Sequence, residues 1–271
     1  MDFRPITLPL PGIELAAVEA GSGPLALFFH GITANGHVFE PMMQALAARY
    51  RCVSFDQRGH GRSEKPASGY AGADFCGDIA AAIRHLAAGP AVLVGHSLGA
   101  RNALLAGSRH PDLVRAVVAI EFTPFIEDQV LTDLETRVAG GDRLFATLDE
   151  IRAYLAGRYP LLPAAAVERR TRYGYAPAQG GFRPLAAPSA MNQTARGLRE
   201  DLEPLVAAIA CPTVLVRGQV SKLVSPEAWR RTRALRPDLP AVELDGADHY
   251  VPEEVPDACA GVLLDFMKNR T

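Results

Sequence analysis

The chain offers almost nothing to a metal ion or a disulfide framework. Its four cysteines, Cys52, Cys76, Cys211 and Cys259, stand singly, with no C-x-x-C pair. That spacing argues against a zinc site and a cross-linked secreted scaffold, and suits small buried hydrophobes in a reducing cytoplasm. No apolar run approaches the roughly 18 residues of a membrane span. The opening MDFRPITLPLPG has no apolar stretch behind a basic start, so a cytoplasmic protein without a secretion signal is expected. Cations are not in excess: 28 Lys and Arg face 30 Asp and Glu, a formal charge of −2, and the basic residues are spread along the chain. Nothing there makes a footprint for nucleic acid. One more lack is local. Residues 216–226, VRGQVSKLVSP, read as the end of a buried strand and a loop that holds no carboxylate.

What is present is an ordinary globular composition: 271 residues, 48% hydrophobic and 21% charged. That suffices for one large domain, or one domain with a sizeable insertion. Short, almost continuous apolar runs recur: LALFFHG (25–31), RCVSFDQRG (51–59), AVLVGH (91–96), LVRAVVAIEF (113–122) and TVLVRG (213–218). Runs of this kind suit strands covered on both faces, as in a parallel sheet. Helical patterns lie between them. In ADFCGDIAAAIRHLAAG (73–89), Phe75, Ile79, Ile83 and Leu86 fall at helical spacing before a glycine; SLGARNALLAGSRHP (97–111) is Ala/Leu-rich and ends before a proline. Strands alternating with helices predict an α/β fold with a mostly parallel, doubly wound sheet. Pro11-Gly12, between two apolar segments, predicts an antiparallel hairpin at one edge.

Residues 123–200 break this rhythm and read as short helices without strands. TLDE (147–150) forms a capping box, Pro163 opens a further helix, and GYAPAQGGFRPLAAPS (174–189) reads as a Gly/Pro-rich loop. Such a block is expected as an inserted helical cap over the C-terminal edge of the sheet, where ligands bind in open α/β sheets. The expected organisation is therefore a first core part (1–122), the cap (123–200) and a second core part (201–271).

Between the third apolar run and the helix after it, Gly95-His96-Ser97-Leu98-Gly99 makes a G-x-S-x-G pattern. A serine there sits on a sharp, strained turn that lifts its hydroxyl above the sheet, and small residues on either side let the chain fold back. The hydroxyl needs a base. His249, in VELDGADHYVPEE, is the sole histidine after residue 110 and follows the last short strand, which suits the chain order nucleophile, acid, histidine. His30 and His60 lie in turns and suit packing or hydrogen-bonding roles, and His96 is expected to point away from the serine. The base needs a carboxylate in turn, and here the acid-free loop matters. Asp245 and Asp248 stand too near His249 to wrap back easily onto its ring. Glu121, a lone acid closing the apolar run before, is the candidate, since a carboxylate in that place is costly unless paired. Two backbone N–H groups, of Leu98 and Ile32, are expected to receive an oxyanion. A serine nucleophile speaks against dehalogenases and epoxide hydrolases that attack with a carboxylate.

FFHG, DQRGHGRS, VGHSLGA, CPTVLVRG and GADHYV stand in the order found in the α/β-hydrolases, and the chain resembles that family over essentially its whole length. Longer stretches, among them FFHGITANGHVFEP, DLVRAVVAIEFTPFIE, YLAGRYP and VRGQVSKLVS, narrow the resemblance to an amide-cleaving member that also lacks the later acid. The resemblance implies a triad of Ser97, Glu121 and His249, with one departure. That member carries aspartate where this chain has Glu121, and the longer arm is expected to meet the imidazole only after a shift of about a C–C bond length. It further implies that Arg137, Arg158, Tyr159 and Tyr250 bind the two carboxylates of a small N-acetylated substrate, hydrolysed without metal or organic cofactor. Arg137 near one cap-helix end and Arg158-Tyr159 at another suit that role, because paired guanidinium forks match a dicarboxylate. Most of the arginines of ERRTR (168–172) read as solvated. A carboxylesterase or C–C bond hydrolase would use the same triad with idle cap arginines, and a ligand sensor could occupy the same scaffold. The oligomeric state stays open, since a helical cap serves equally as a lid or as an interface between copies.

Overall fold

The computed structural model describes residues 2–268 and 270. β1 (Arg4–Leu10) and β2 (Ile13–Ala20) form the edge hairpin, with Leu10 opposite Ile13 across Pro11-Gly12. β3 (Leu25–Phe29), β4 (Arg51–Phe55), β5 (Ala91–His96) and β6 (Val114–Ile120) follow, joined by α1 (Glu40–Leu46), α2 (Gly72–Leu86) and α3 (Leu98–Arg109). β3 and β5 are buried at every position, which is why they read as unbroken apolar runs. Successive side chains supply opposite faces: Leu27, Leu93 and Val117 pack with α2 and α3, while Phe28, Val94 and Val118 pack with α1.

Residues 123–200 contain α4 (Asp128–Ala139), α5 (Leu148–Arg158), α6 (Ala164–Gly174) and α7 (Pro188–Gly197). One expectation is corrected here. The stretch read as a loop forms a two-stranded hairpin, β7 (Tyr175–Ala178) and β8 (Gly181–Pro184), turning at Gly180 and Gly181 with φ of +82° and +145°. Four-residue strands containing proline carry no alternating pattern to read. What holds them is tertiary: Phe145 and Phe182 exchange backbone hydrogen bonds of 2.9 and 2.8 Å, and Tyr175 and Phe182 pack with Phe145, Ile151 and Val167. The capping box is displaced by one residue. Thr147 accepts from the Glu150 N–H at 3.2 Å, but the Glu150 carboxylate reaches back to the N–H of Ala146 at 2.8 Å.

The chain returns through α8 (Glu203–Ala208), β9 (Thr213–Gly218), α9 (Pro226–Leu235), β10 (Ala241–Leu244), α10 (Val251–Glu254) and α11 (Pro256–Met267). The eight-stranded sheet has the order β1-β2-β4-β3-β5-β6-β9-β10, with β4 onward parallel to one another. From β3 the chain steps to one side, into β4, and then crosses to β5 on the other. The strand order therefore reverses between β3 and β5, and a crevice opens at that point beyond the carboxyl ends of the strands. Ile32 follows β3 there, and Ser97 follows β5.

Candidate active site

Ser97 sits between β5 and α3 with φ +55° and ψ −115°, a conformation that costs a non-glycine residue on the order of 1–3 kcal/mol unless its surroundings enforce it. The flanking glycines enforce it. A Cβ on Gly95 would lie 2.3 Å from the carbonyl oxygen of Gly99, and one on Gly99 would lie 1.9 Å from that of Phe29. The turn thus closes against β3 only if both positions are bare. Register then brings the β3 loop alongside: Phe29 pairs with Gly95, and a Cβ on Gly31 would stand 3.4 Å from Cβ of Ser97. The N–H groups of Ile32 and Leu98 have no hydrogen-bond acceptor among the described residues, and Leu98 opens α3, where the helix dipole favours negative charge.

Glu121 directly follows β6 and is 1% exposed. Its backbone is left-handed, φ +57°, and its N–H donates to Val216 of β9 at 2.8 Å. Three donors converge on its two carboxylate oxygens: the N–H of Gly218 at 2.7 Å, the Ser221 hydroxyl at 2.6 Å and Nδ1 of His249 at 2.9 Å. The loop without a carboxylate therefore supplies a hydroxyl, and the acid comes from the neighbouring strand. No compromise in reach accompanies the longer arm of Glu121, because the left-handed backbone sets the carboxylate within hydrogen-bond distance of the ring.

Burial is the first cause of the shifts in both partners. It pushes the Glu121 carboxyl up to about 8, against the pull of Ser221, Gly218 and Arg217, and the His249 imidazole down to about 4. We read the resting pair as a carboxylate accepting from a neutral ring, since a protonated carboxyl would have to surrender one of the three converging donors. Nδ1–H then faces Glu121 and leaves Nε2 as the acceptor. No hydrogen bond closes between the Ser97 hydroxyl and His249, a bond that commonly tightens only with substrate in place.

Two histidines clarify the surroundings. His96, expected to point away, lines the same cavity as Ser97, and its Nε2–H donates to the backbone carbonyl of His249 at 2.6 Å, tying that residue's own peptide to β5. His30 accepts the N–H of Gln57 at 3.0 Å and lies against the carbonyl of Gly31 at 2.8 Å, a structural pairing that joins the loops after β3 and β4.

Ser97 and His249 line a cavity of about 500 Å³ beneath the cap, together with Ile32, Arg137, Arg158, Tyr159 and Tyr250. The sequence-predicted residues are thus assembled around one space, apart from Glu121, which stands behind His249, and Leu98, whose side chain is turned away. Neither Arg137 nor Arg158 has a carboxylate partner among the described residues; Arg158 Nε donates to the Tyr159 hydroxyl at 3.1 Å. A smaller cavity of about 90 Å³, deeper in the cap, shares Arg137, Arg158 and Tyr159 and does not reach Ser97. Arg170, within the ERRTR stretch read as mostly solvated, is a correction. It is 9% exposed, lines the larger cavity, and is clamped to Glu253 through Nη2 and through Nε at 2.9 Å. Its guanidinium lies 5.0 Å from the Tyr159 ring and 4.7 Å from the Tyr250 ring. Burial resists ionisation of the Tyr159 phenol, but the charges of Arg170 and Arg158 outweigh it and draw that phenol below its usual value.

A serine on a strained turn, a neutral imidazole in the same cavity, a carboxylate behind the ring and two free N–H groups form a set suited to acyl transfer. Four cationic side chains line the same space, Arg137, Arg158, Lys222 and the Glu253-paired Arg170, and suit an anionic substrate. Comparison with known proteins agrees with the architecture. Residues 24–256 match the model of the alpha/beta hydrolase fold family. The chain is 54% identical over 255 residues to 2-(acetamidomethylene)succinate hydrolase of Mesorhizobium japonicum, covering 94% of this chain and 92% of that one. It is 31% identical over 243 residues to a pimeloyl-[acyl-carrier protein] methyl ester esterase of Xanthomonas campestris, covering 84% and 89% respectively. A crystal structure of E-2-(acetamidomethylene)succinate hydrolase superposes with a TM-score of 0.96 at 52% identity, over 98% of this chain and 100% of that chain. On the family match and these relatives, the chain belongs to the α/β-hydrolases.

Proposed function

We propose that the protein hydrolyses the amide bond of 2-(acetamidomethylene)succinate through an acetyl-enzyme. The observation that carries this reading is the shared cavity, in which Ser97 and His249 face Arg137 and Arg158, two guanidinium groups without carboxylate partners among the described residues. The relative of 54% identity, named for this substrate, supports it.

In this reading His249 Nε2 takes the Ser97 proton as Oγ attacks the acetyl carbonyl, and Glu121 steadies the imidazolium through Nδ1–H. The Ile32 and Leu98 N–H groups hold the oxyanion. His249 then returns the proton to the departing nitrogen, which conjugation with a carboxylate makes a better leaving group than an ordinary amine. Water, deprotonated by the same ring, releases acetate. The aminomethylene-succinate left behind takes up a second water, releasing ammonia, and then loses carbon dioxide to give succinic semialdehyde. Arg137, Arg158, Tyr159 and Tyr250 bind the substrate carboxylates, and no step calls for a metal or organic cofactor.

Acetate release from this enamide, run beside p-nitrophenyl acetate, tests the reading. The enamide should turn over with kcat/KM well above that of the ester. Ester hydrolysis without enamide hydrolysis would keep the serine chemistry and discard the substrate.

A further inference from the structure

A second cavity meets Ser97 from another side. It measures about 230 Å³ and runs from Ser97 and Leu98 past Phe122, Leu131, Leu134 and Leu202, with the buried Glu121 and Arg101 also in its inner wall. His249, Ile32, Arg137 and Arg158 line the first cavity and are not among the residues that line this one. Its outer end is charged and open: Asp128, Arg199, Glu200 and Asp201 line it, the first two with side chains 97% and 38% exposed.

We infer that the apolar side of this cavity, formed by Phe122, Leu131, Leu134 and Leu202, is an acyl channel, and that the enzyme also hydrolyses substrates whose acyl chain is longer than acetyl, to about six carbons. The inference rests on the proposed function and extends it. When Ser97 Oγ bonds to a carbonyl carbon, that carbon has three other substituents. Its oxygen turns to the Ile32 and Leu98 N–H groups, and its leaving group turns to His249 and hence to the arginine-lined cavity. The acyl carbon takes the direction that remains, which is the cavity holding neither His249 nor Ile32, along its apolar side. An acetyl methyl fills little of this space. An apolar cavity of about 150 Å³ is enough to take a benzene ring, so the 230 Å³ here accommodates a chain of six carbons.

The chemistry is the same acyl transfer. The Ser97 Oγ–acyl bond forms as the bond from the acyl carbon to the leaving oxygen or nitrogen breaks. The Ser97 proton passes through His249 to the leaving atom, and water then hydrolyses the acyl-enzyme to a free carboxylic acid.

The test is kcat/KM for p-nitrophenyl acetate, butanoate and hexanoate, with the acetyl enamide assayed in parallel. Each methylene buried in the channel should raise kcat/KM by up to about fourfold, so hexanoate should exceed acetate by about tenfold or more. Leu131→Trp, which fills the channel from α4, should bring the hexanoate-to-acetate ratio back toward one. The wild-type series decides the matter even if that variant fails to fold. Rates that are flat or falling with chain length, with the acetyl enamide still turned over, would overturn the channel and leave the proposed function standing. Failure of every ester and of the enamide would overturn both.

Discussion

Replacing Glu121 by glutamine changes one atom in a buried site, and its consequence follows from the three donors. The amide oxygen can keep the Gly218 N–H, now accepted by Oε1 at 2.7 Å. The amide nitrogen must then stand where Oε2 accepts from both Ser221 and His249. The Ser221 hydroxyl can rotate to accept. The ring can adapt only by presenting a lone pair at Nδ1, which moves its proton to Nε2. In that tautomer Nε2 cannot take the Ser97 proton. The same tautomer change in a serine protease costs about 10⁴ in kcat, or about 5.5 kcal/mol of barrier. A loss of that order is expected in acetate release by Glu121→Gln, with thermal stability held or improved because a dry carboxylate has been removed. A loss below tenfold in a folded variant would refute the assignment of Glu121 as the partner of His249.

The pH dependence follows from the same pair. As pH falls, the first proton bound by Glu121 and His249 either occupies the base or unseats its partner, so activity is lost on the acid side. Burial raises the Glu121 carboxyl while its three donors hold the charged form, so the wild-type limb should lie above the ordinary carboxylate range, and kcat/KM should rise to a plateau beyond it. In Glu121→Gln the residual limb should move down toward the His249 value of about 4; identical limbs would contradict the pairing. Arg137→Ala should raise KM for the dicarboxylate by roughly 10- to 150-fold, the worth of one hydrogen bond to a charged group, while p-nitrophenyl acetate is affected far less. Glu253→Ala strands Arg170 in a buried site and should cost about 3–5 kcal/mol of stability, read as a fall in melting temperature; an unchanged melting point would mean that the Arg170–Glu253 clamp holds nothing.

Much of this arrangement is legible in the chain because it is dictated locally. Gly95 and Gly99 are bare because backbone oxygens occupy the places of their Cβ atoms, and that constraint is written as a five-residue pattern. The parallel strands declare themselves as apolar runs because both faces are covered. The missing carboxylate after β9 points to Glu121, since a buried imidazole needs an acceptor from somewhere. Other features depend on which surfaces meet. Nothing within ERRTR separates the buried Arg170 from its neighbours on α6, because burial is decided by Glu253 and Tyr250, some eighty residues later. His96 touches the backbone of His249 across the sheet edge, a contact with no sequence signature. Ser221 lies in the very loop read for its lack of acid, and its bond to Glu121 depends on where the neighbouring strand places that carboxylate. The β7–β8 hairpin exists because Phe145 pairs with Phe182, a tertiary contact that short, proline-containing strands do not announce.

The most direct test of the central claim is the rate of acetate release from 2-(acetamidomethylene)succinate by the wild-type protein and by Ser97→Ala, both shown to be folded. If Ser97 is the nucleophile on this substrate, the substitution should remove activity by about a millionfold, as loss of a triad serine does elsewhere. Turnover retained within tenfold in the variant would contradict the account.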